Sequence, residues 1–411
     1  MKGIWQDWRY ACRMLRRDRW FTALAVVILA LGIGANGAIF SVVHAVLLRE
    51  LPYPEPDELV MVWESRPAED VYDNVVAPAD FLDWRMRQQV FDEIAALSKG
   101  RLSLTVSGRQ ELVVAGNVSA SFFRVLGVVP MLGRDFRNDE ERAARNRVVI
   151  LSHGFWQRQF GGDPNVVGTH VTLEDQPYEV IGVLPSSFRF TDETLDLWYP
   201  IDFTSADNRA RFNHFLTVFA RLRDGITVER AQQNMALISA QLRSEVERQN
   251  QGHGAHVIPL RDQLVGSAES SLLVLMTAVV FILLIACVNV ANLLLVRGAS
   301  RGREVALRSA LGARRARIVR QLVVECLLLA GLAAVVAVPL AMWGASALKS
   351  YVPAEIPRLN DAGLNPVVVG FMAATAVVTA LLFGVAPAFQ VSRMNLTGAR
   401  AAREAQSTGC E

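Results

Sequence analysis

Four long runs of apolar residues break up an otherwise mixed chain: Phe21 to Leu48, Ser271 to Val296, Leu322 to Leu348 and Val367 to Gln390. Each exceeds the roughly 20 residues that cross a hydrocarbon core of about 30 Å at 1.5 Å rise, so each is read as a membrane-spanning helix. The long segment between the first and second runs has a different rhythm. Leu59 to Trp63, Ser103 to Val106, Leu112 to Asn117, Val148 to Leu151, His170 to Leu173, Tyr178 to Leu184 and Leu216 to Leu222 read as strands. Pro78 to Gln89 and Val228 to Gln249 carry helical spacing, the second through Ala231, Met235, Ile238 and Leu242. The fold class that follows is a membrane protein of four transmembrane α-helices with a large α+β extracytoplasmic domain between helices 1 and 2.

The same pattern divides the chain. Residues 1–20 place Trp5, Trp8, Cys12 and Leu15 on one helical face and arginines on the other, as an interfacial cytoplasmic helix does. Then follow span 1 (21–49), the outer domain (50–268), span 2 (269–297), a cytoplasmic loop (298–320), span 3 (321–348), a short outer loop (349–366), span 4 (367–390) and a cytoplasmic tail (391–411). Inside the outer domain the charged stretch Arg134 to Arg147 has no apolar periodicity and is not expected to pack in a core. With the polar stretch Thr204 to Asn213 it marks residues 136–212 as a subdomain inserted into one built from 50–135 and 213–268.

Composition agrees: 52% of the 411 residues are hydrophobic, and mean hydropathy is +0.25. The near balance of 42 basic and 40 acidic residues argues against a nucleic-acid binder. That balance hides a segregation. Lys2, Arg9, Arg13, Arg16, Arg17 and Arg19 precede the first span, and eight arginines from Arg297 to Arg320 face the single acid Glu304 between the second and third. Residues 49–270 instead hold 23 basic and 32 acidic side chains, a net of −9. Since short cytoplasmic loops keep positive charge, both termini are expected in the cytoplasm of a multi-pass protein. A cleaved signal peptide fits less well, because its apolar region is about 7–15 residues long. Of the four cysteines, Cys12, Cys287, Cys326 and Cys410, none lies in the outer domain, so no disulfide framework is expected there.

Catalytic signatures are missing. A phosphate cradle of the form G-x-x-x-x-G-K-[ST] needs a lysine after glycine, and Lys2, Lys99 and Lys349 do not supply it. G-x-S-x-G and H-E-x-x-H are absent too, so no catalytic residue is assigned and the chain is not expected to be an enzyme. His253 and His256 stand three apart beside two glycines, but with no third ligand in sight they are read as loop residues, and no metal site is expected. Asp139, Glu140 and Glu141 read as a surface charge run.

Two intramembrane patterns are more informative. Ala30, Gly34 and Ala38 form a smooth stripe on span 1, and Asn289 with Asn292 places amides on one face of span 2. Both imply helix packing, either within one bundle or between subunits. In the cytoplasmic loop, Val305, Leu307, Leu311 and Ile318 interrupt the arginines around a turn at Leu311-Gly312-Ala313. Such a segment suits an anchor on acidic lipid head groups or a short helix that docks into a partner.

Here the chain resembles a known family. The run ANLLLVRGASRGREVALRSALGARRARIVRQLVVECLLLA is similar to the coupling region of MacB/FtsX-type ABC transporter permeases. Arg301 or Arg303 precedes Glu304, and Arg308, Ala310, Leu311, Gly312 and Ala313 follow, with Glu325 entering the next span. LALGIGANGAIFSVVHAVLLRELPYPEPDELV, AGNVSASFFRVLGVVPMLGRDF and VVILSHGFWQRQFGGDPNVVGTHVTLEDQPYEVIGVLPSSFRF look like the MacB-like periplasmic domain, so the likeness runs over nearly the whole chain. The chain also resembles the acidobacterial duplicated orphan permeases, with one four-helix unit where those carry two, which suits either a single-unit form or half of a duplicated permease.

The resemblance implies a bacterial inner-membrane permease with no cofactor of its own. A separate cytoplasmic ABC ATPase would bind ATP-Mg and push on Glu304, Arg308, Ala310, Leu311, Gly312 and Ala313. The motion would reach the periplasmic domain by mechanotransmission, for efflux of a periplasmic substrate. A second permease unit and a periplasmic membrane-fusion protein are the further partners implied, and nucleic acid is not. An FtsX-like signalling permease that controls an envelope enzyme, or a passive receptor or anchor, is the alternative.

Overall fold

The structure is a computed structural model that describes all residues except 1, 107, 144, 191–194, 246–252, 301–314, 352–361 and 385–411. In chain order its helices are α1 (Lys2–Arg17), α2 (Arg19–Val43), α3 (Pro78–Arg87), α4 (Phe122–Leu126), α5 (His153–Phe160), α6 (Val228–Glu245), α7 (Leu260–Ser300), α8 (Arg315–Tyr351) and α9 (Pro366–Gly384). Its strands are β1 (Leu59–Arg66), β2 (Val71–Asn74), β3 (Phe91–Val106), β4 (Arg109–Val118), β5 (Leu132–Gly133), β6 (Val148–Leu151), β7 (His170–Leu173), β8 (Gln176–Val183), β9 (Leu197–Pro200), β10 (Thr217–Leu222) and β11 (Gly254–Pro259). Two compact units result, one of residues 1–49 with 268–411 and the other of residues 50–267.

The first unit is helical. Among the described residues four helices are long and apolar enough to cross a membrane: Arg19–Leu48, Glu269–Val296, Arg320–Ser350 and Pro366–Gly384. This is a membrane protein. Helix α2 ends in a π-helical turn, His44–Leu48, closed by the Arg49 amide donating to the His44 carbonyl at 2.9 Å. Helix α9 starts where sequence chemistry dictates: Pro366 stands at its first position, and the Asn365 side chain accepts the Val368 amide at 2.9 Å. The expected fourth span continues to residue 390, of which residues 385–390 lie outside the described part.

The second unit is built on an 11-stranded sheet whose main path runs β11-β1-β10-β3-β4-β9-β6-β8-β5, with β2 on β1 and β7 on β3 and β8. Alternation along β1 separates two cores, Leu59 and Met61 entering one and Val60 and Val62 the other. The second of these cores is covered by α6, whose Ala231, Met235, Ile238 and Leu242 are buried at the spacing read from the sequence. Strand β3 is far longer than its predicted piece, because residues 91–97 pair with β10 and 97–106 with β4.

The charged stretch after Arg134 does not stay outside the core. Phe136 is buried in it, and Glu140 and Glu141 are buried too, held by Arg134 at 2.6 Å and Arg85 at 2.8 Å. Ion pairing lets a charged run pack where periodicity alone excludes it. Residues 136–212, set apart as an insertion on sequence grounds, supply β6, β7, β8 and β9 of the same sheet.

Candidate functional site

The residues expected to meet an ATPase, Glu304, Arg308, Ala310, Leu311, Gly312 and Ala313, lie outside the described part. What is described is the helical bundle that flanks them in the chain. The apolar run of α2 is mostly buried and that of α7 mostly exposed, so α2 is the central helix of its unit. Ala30 is fully buried, Gly34 lies against Leu340 and Ala337 of α8, and Ala38 faces Gly344 of the same helix. The small-residue stripe therefore lies along α8 within one chain.

Two further glycines point elsewhere. A Cβ on Gly32 would stand 3.0 Å from Leu283 Cδ1 in α7, and one on Gly37 would stand 2.8 Å from Met372 Sδ in α9. Three glycines thus give α2 close approach to three helices. Between them sits Asn36, 1% exposed, whose Nδ2 donates to the Gly32 carbonyl at 2.9 Å and across to the Val279 carbonyl of α7 at 2.8 Å. Phe40 stacks on Phe371, ring centroids 3.9 Å apart, and Asn365 Nδ2 lies 3.2 Å from His44 Nδ1. Reading the sequence by its stripe alone misses Gly32, Asn36 and Gly37, although GIGANG is an unusual run inside a span. Asn289 and Asn292 are exposed on α7, while Glu325 is buried in α8 at 6% exposure.

The outer unit holds a cluster that the sequence separates widely. Glu64 on β1, Asp80 on α3, His214 before β10 and His253 before β11 bring one donor atom each within 4.8 Å of one another. Glu64 is 1% exposed, with Oε2 3.1 Å from His214 Nε2 and Oε1 3.2 Å from His253 Nδ1. Neither contact has the alignment of a hydrogen bond, since Glu64 Oε2, His214 Nε2 and His253 Nδ1 are all buried without a hydrogen-bond partner. Asn74 Nδ2 donates to Glu64 Oε1 at 3.4 Å, Arg66 Nε stands 3.6 Å from it, and Arg211 bridges Asp80 and Asp83. Burial pushes the Glu64 carboxyl above its usual range, against the two imidazoles.

His256, the sequence neighbour of His253, is not in this group. It faces Asp73 at 3.2 Å and the edge of Tyr72. Elsewhere in the unit, burial lifts Asp135 to about 6, although its Oδ1 accepts the Phe136 amide at 2.7 Å and Arg124 lies 3.9 Å away. Asp139, in the acidic run, is paired with Arg145 at 2.6 Å, and this holds its carboxyl below the usual range.

Residues 22–238 match the MacB-like periplasmic core domain, and residues 276–396 match the FtsX-like permease C-terminal region. The macrolide export ATP-binding/permease protein MacB of Burkholderia cenocepacia is 28% identical over 290 residues, covering 69% of this chain and 40% of that protein. The pyoverdine export ATP-binding/permease protein PvdT of Pseudomonas syringae pv. syringae is 24% identical over 320 residues, 74% of this chain and 47% of that one. The chain therefore spans less than half the length of either relative. The periplasmic region of MacB from Actinobacillus actinomycetemcomitans aligns at 15% identity over 55% of this chain and 97% of that one, with a TM-score of 0.39.

Proposed function

We propose, on the premise that this chain belongs to the MacB/FtsX-type permeases of ABC transporters, that it turns ATP hydrolysis by a separate ATPase into movement of its outer unit. The cell compartment is the bacterial inner membrane, with both termini in the cytoplasm, and the work is extrusion of a periplasmic substrate. The observation that carries the reading is α7, one uninterrupted 41-residue helix that starts at Leu260 in the outer unit and ends at Ser300, where the arginine-rich loop begins. Its backbone runs without a loop between Leu260 and Ser300, so a push at Glu304 to Ala313 has a continuous helical path along it.

ABC ATPases work in pairs, and one four-helix unit offers one docking loop, so two permease units assemble. Asn289 and Asn292 support a contact along α7, because amides exposed on a weakly buried apolar helix are costly until a neighbouring helix meets them. A membrane-fusion protein on the periplasmic side completes an export assembly. The export names of the relatives favour efflux over control of an envelope enzyme.

Two variants test the coupling. Glu304→Ala removes the lone acid of a basic loop, and Gly312→Val stiffens its turn. In a coupling helix both lower ATPase copurification and ATP turnover of the reconstituted complex by at least about tenfold. In a lipid anchor, Glu304→Ala strengthens membrane attachment and Gly312→Val is silent. Unchanged copurification and turnover in both variants would sink the coupling role. Orientation is checked by membrane-impermeant thiol labelling, which should reach a cysteine placed at Asp139 and not one placed at Arg314.

A further inference from the structure

Partly buried imidazoles whose facing nitrogens are shielded from solvent, and a buried carboxylate, that approach one another without forming hydrogen bonds need a common partner. His214 Nε2 and His253 Nδ1 come within 3.1 and 3.2 Å of the two Glu64 oxygens, yet neither nitrogen directs an N–H at them. An imidazolium paired with a carboxylate lines its proton up with the acceptor. Donors around a metal do the opposite: their lone pairs converge on a point between them, and the ligand atoms of a tetrahedral site stand about 3.4 Å apart when bonds are about 2.0–2.1 Å long. The contacts of Glu64 with both imidazoles are close to that spacing, and the whole set of four lies within 4.8 Å.

We propose that Glu64, Asp80, His214 and His253 form a structural zinc site. The donor set selects the metal: two imidazoles and two carboxylates suit a borderline divalent ion, whereas magnesium and calcium prefer oxygen ligands throughout. Charge agrees: Arg211 is shared between Asp80 and Asp83 and Arg66 between Glu64 and Glu69, so four carboxylates face two guanidinium groups, and Zn²⁺ would offset the remaining two negative charges. The supporting contacts are in place too. Arg211 holds Asp80, Asn74 holds Glu64, and Arg243 Nη1 donates to the backbone carbonyl of His253 at 3.0 Å, tying that ligand to α6. Four protein ligands leave no open position, so the ion fastens β1 and α3 to the segments that lead into β10 and β11, and does no chemistry.

The test uses the full chain in detergent, purified without a polyhistidine tag, stripped with chelator and titrated with zinc chloride against a chromophoric competitor. One zinc per chain is expected, and cobalt in its place should give the intense visible absorption of a tetrahedral site. His214→Gln and His253→Gln should each weaken zinc binding by at least about tenfold, while His256→Gln, which alters the histidine facing Asp73, leaves it unchanged. Glu64→Gln keeps the shape and loses the charge, and should weaken binding likewise. A folded wild-type chain that takes up no zinc at micromolar free metal overturns the proposal. So does stoichiometric zinc retained with equal affinity by His214→Gln and His253→Gln.

Discussion

Gly34 is where the packing of the bundle is most open to measurement. A Cβ at this position would stand 3.1 Å from Leu340 Cβ and 3.3 Å from the Ala337 carbonyl oxygen. Carbon atoms at rest keep about 3.5–4.0 Å, and the Ala337 oxygen belongs to a helical backbone that cannot rotate away. Gly34→Ala therefore forces α2 and α8 apart by a few tenths of an ångström, at a cost of about 1–3 kcal/mol for overpacking, partly offset by alanine's better helix propensity of about 1 kcal/mol. Gly34→Ile adds three more carbons in the same direction and should cost at least about 3 kcal/mol. Gly331, also in a span, has no neighbour within 4 Å of its added Cβ, so Gly331→Ile is the matched control and should stay within about 0.5 kcal/mol of wild type. Unfolding in mixed detergent–SDS micelles, followed by tryptophan fluorescence, reads the difference. Equal unfolding free energies for Gly34→Ile and Gly331→Ile would refute close packing of α2 on α8 at this point.

Asp135→Asn should stabilise the outer unit at neutral pH. Its carboxyl sits at about 6 rather than 3.8, so the ionised form opposes folding in full above pH 6, and that penalty shrinks as the pH falls from 6 towards 3.8 and is gone below it. The gap corresponds to at most about 3 kcal/mol, reduced to about 1–2 kcal/mol because the side chain is 23% exposed. Thermal scans should show a gain of about 2–4 °C per kcal/mol near pH 7.5, and no gain near pH 4. Gly133→Ala should abolish stable folding of this unit, seen as rapid proteolysis. Gly133 has φ +76°, and its Cβ would lie 2.0 Å from the Ile181 carbonyl oxygen of the strand it pairs with. Asn36→Leu should cost about 0.6–1.7 kcal/mol in the micelle assay through loss of the bond to Val279; no loss at all would show that bond to be idle.

The spans were legible because length and hydropathy alone define a helix in lipid, and α6 because its apolar residues recur on one face. Strands β2, β9 and β11 were not. Strand β2 is exposed along most of its length and shows no apolar alternation, β9 is only four residues long, and β11 reads Gly-Ala-His-Val-Ile-Pro, half of it unlike a strand. The four-residue cluster was hidden for a different reason. Glu64 and His253 meet because β1 pairs with β11, with Glu64 opposite Ala255, and no local spacing encodes that register. The tempting pair, His253 and His256, is three apart, a separation that puts side chains on opposite faces wherever the backbone is extended. The acidic run misled in the same way, since Arg85, which holds Glu141, lies 56 residues upstream.

Helix α2 has a consequence for how the protein is made. It leaves the ribosome before α7, α8 and α9, yet the groove at Gly32, the amide of Asn36 and the flat patch at Gly37 are matched by Leu283, Val279 and Met372, all more than 200 residues downstream. At about 5–20 residues per second, translation leaves this helix without α7 for roughly 12 to 50 seconds and without α9 for roughly 17 to 67 seconds. During that interval the Asn36 amide can still donate to the Gly32 carbonyl one turn back, a bond already present at 2.9 Å. The segment that organises the bundle is thus the one that must survive longest in lipid alone, with a polar group that a single local hydrogen bond keeps tolerable until α7 arrives.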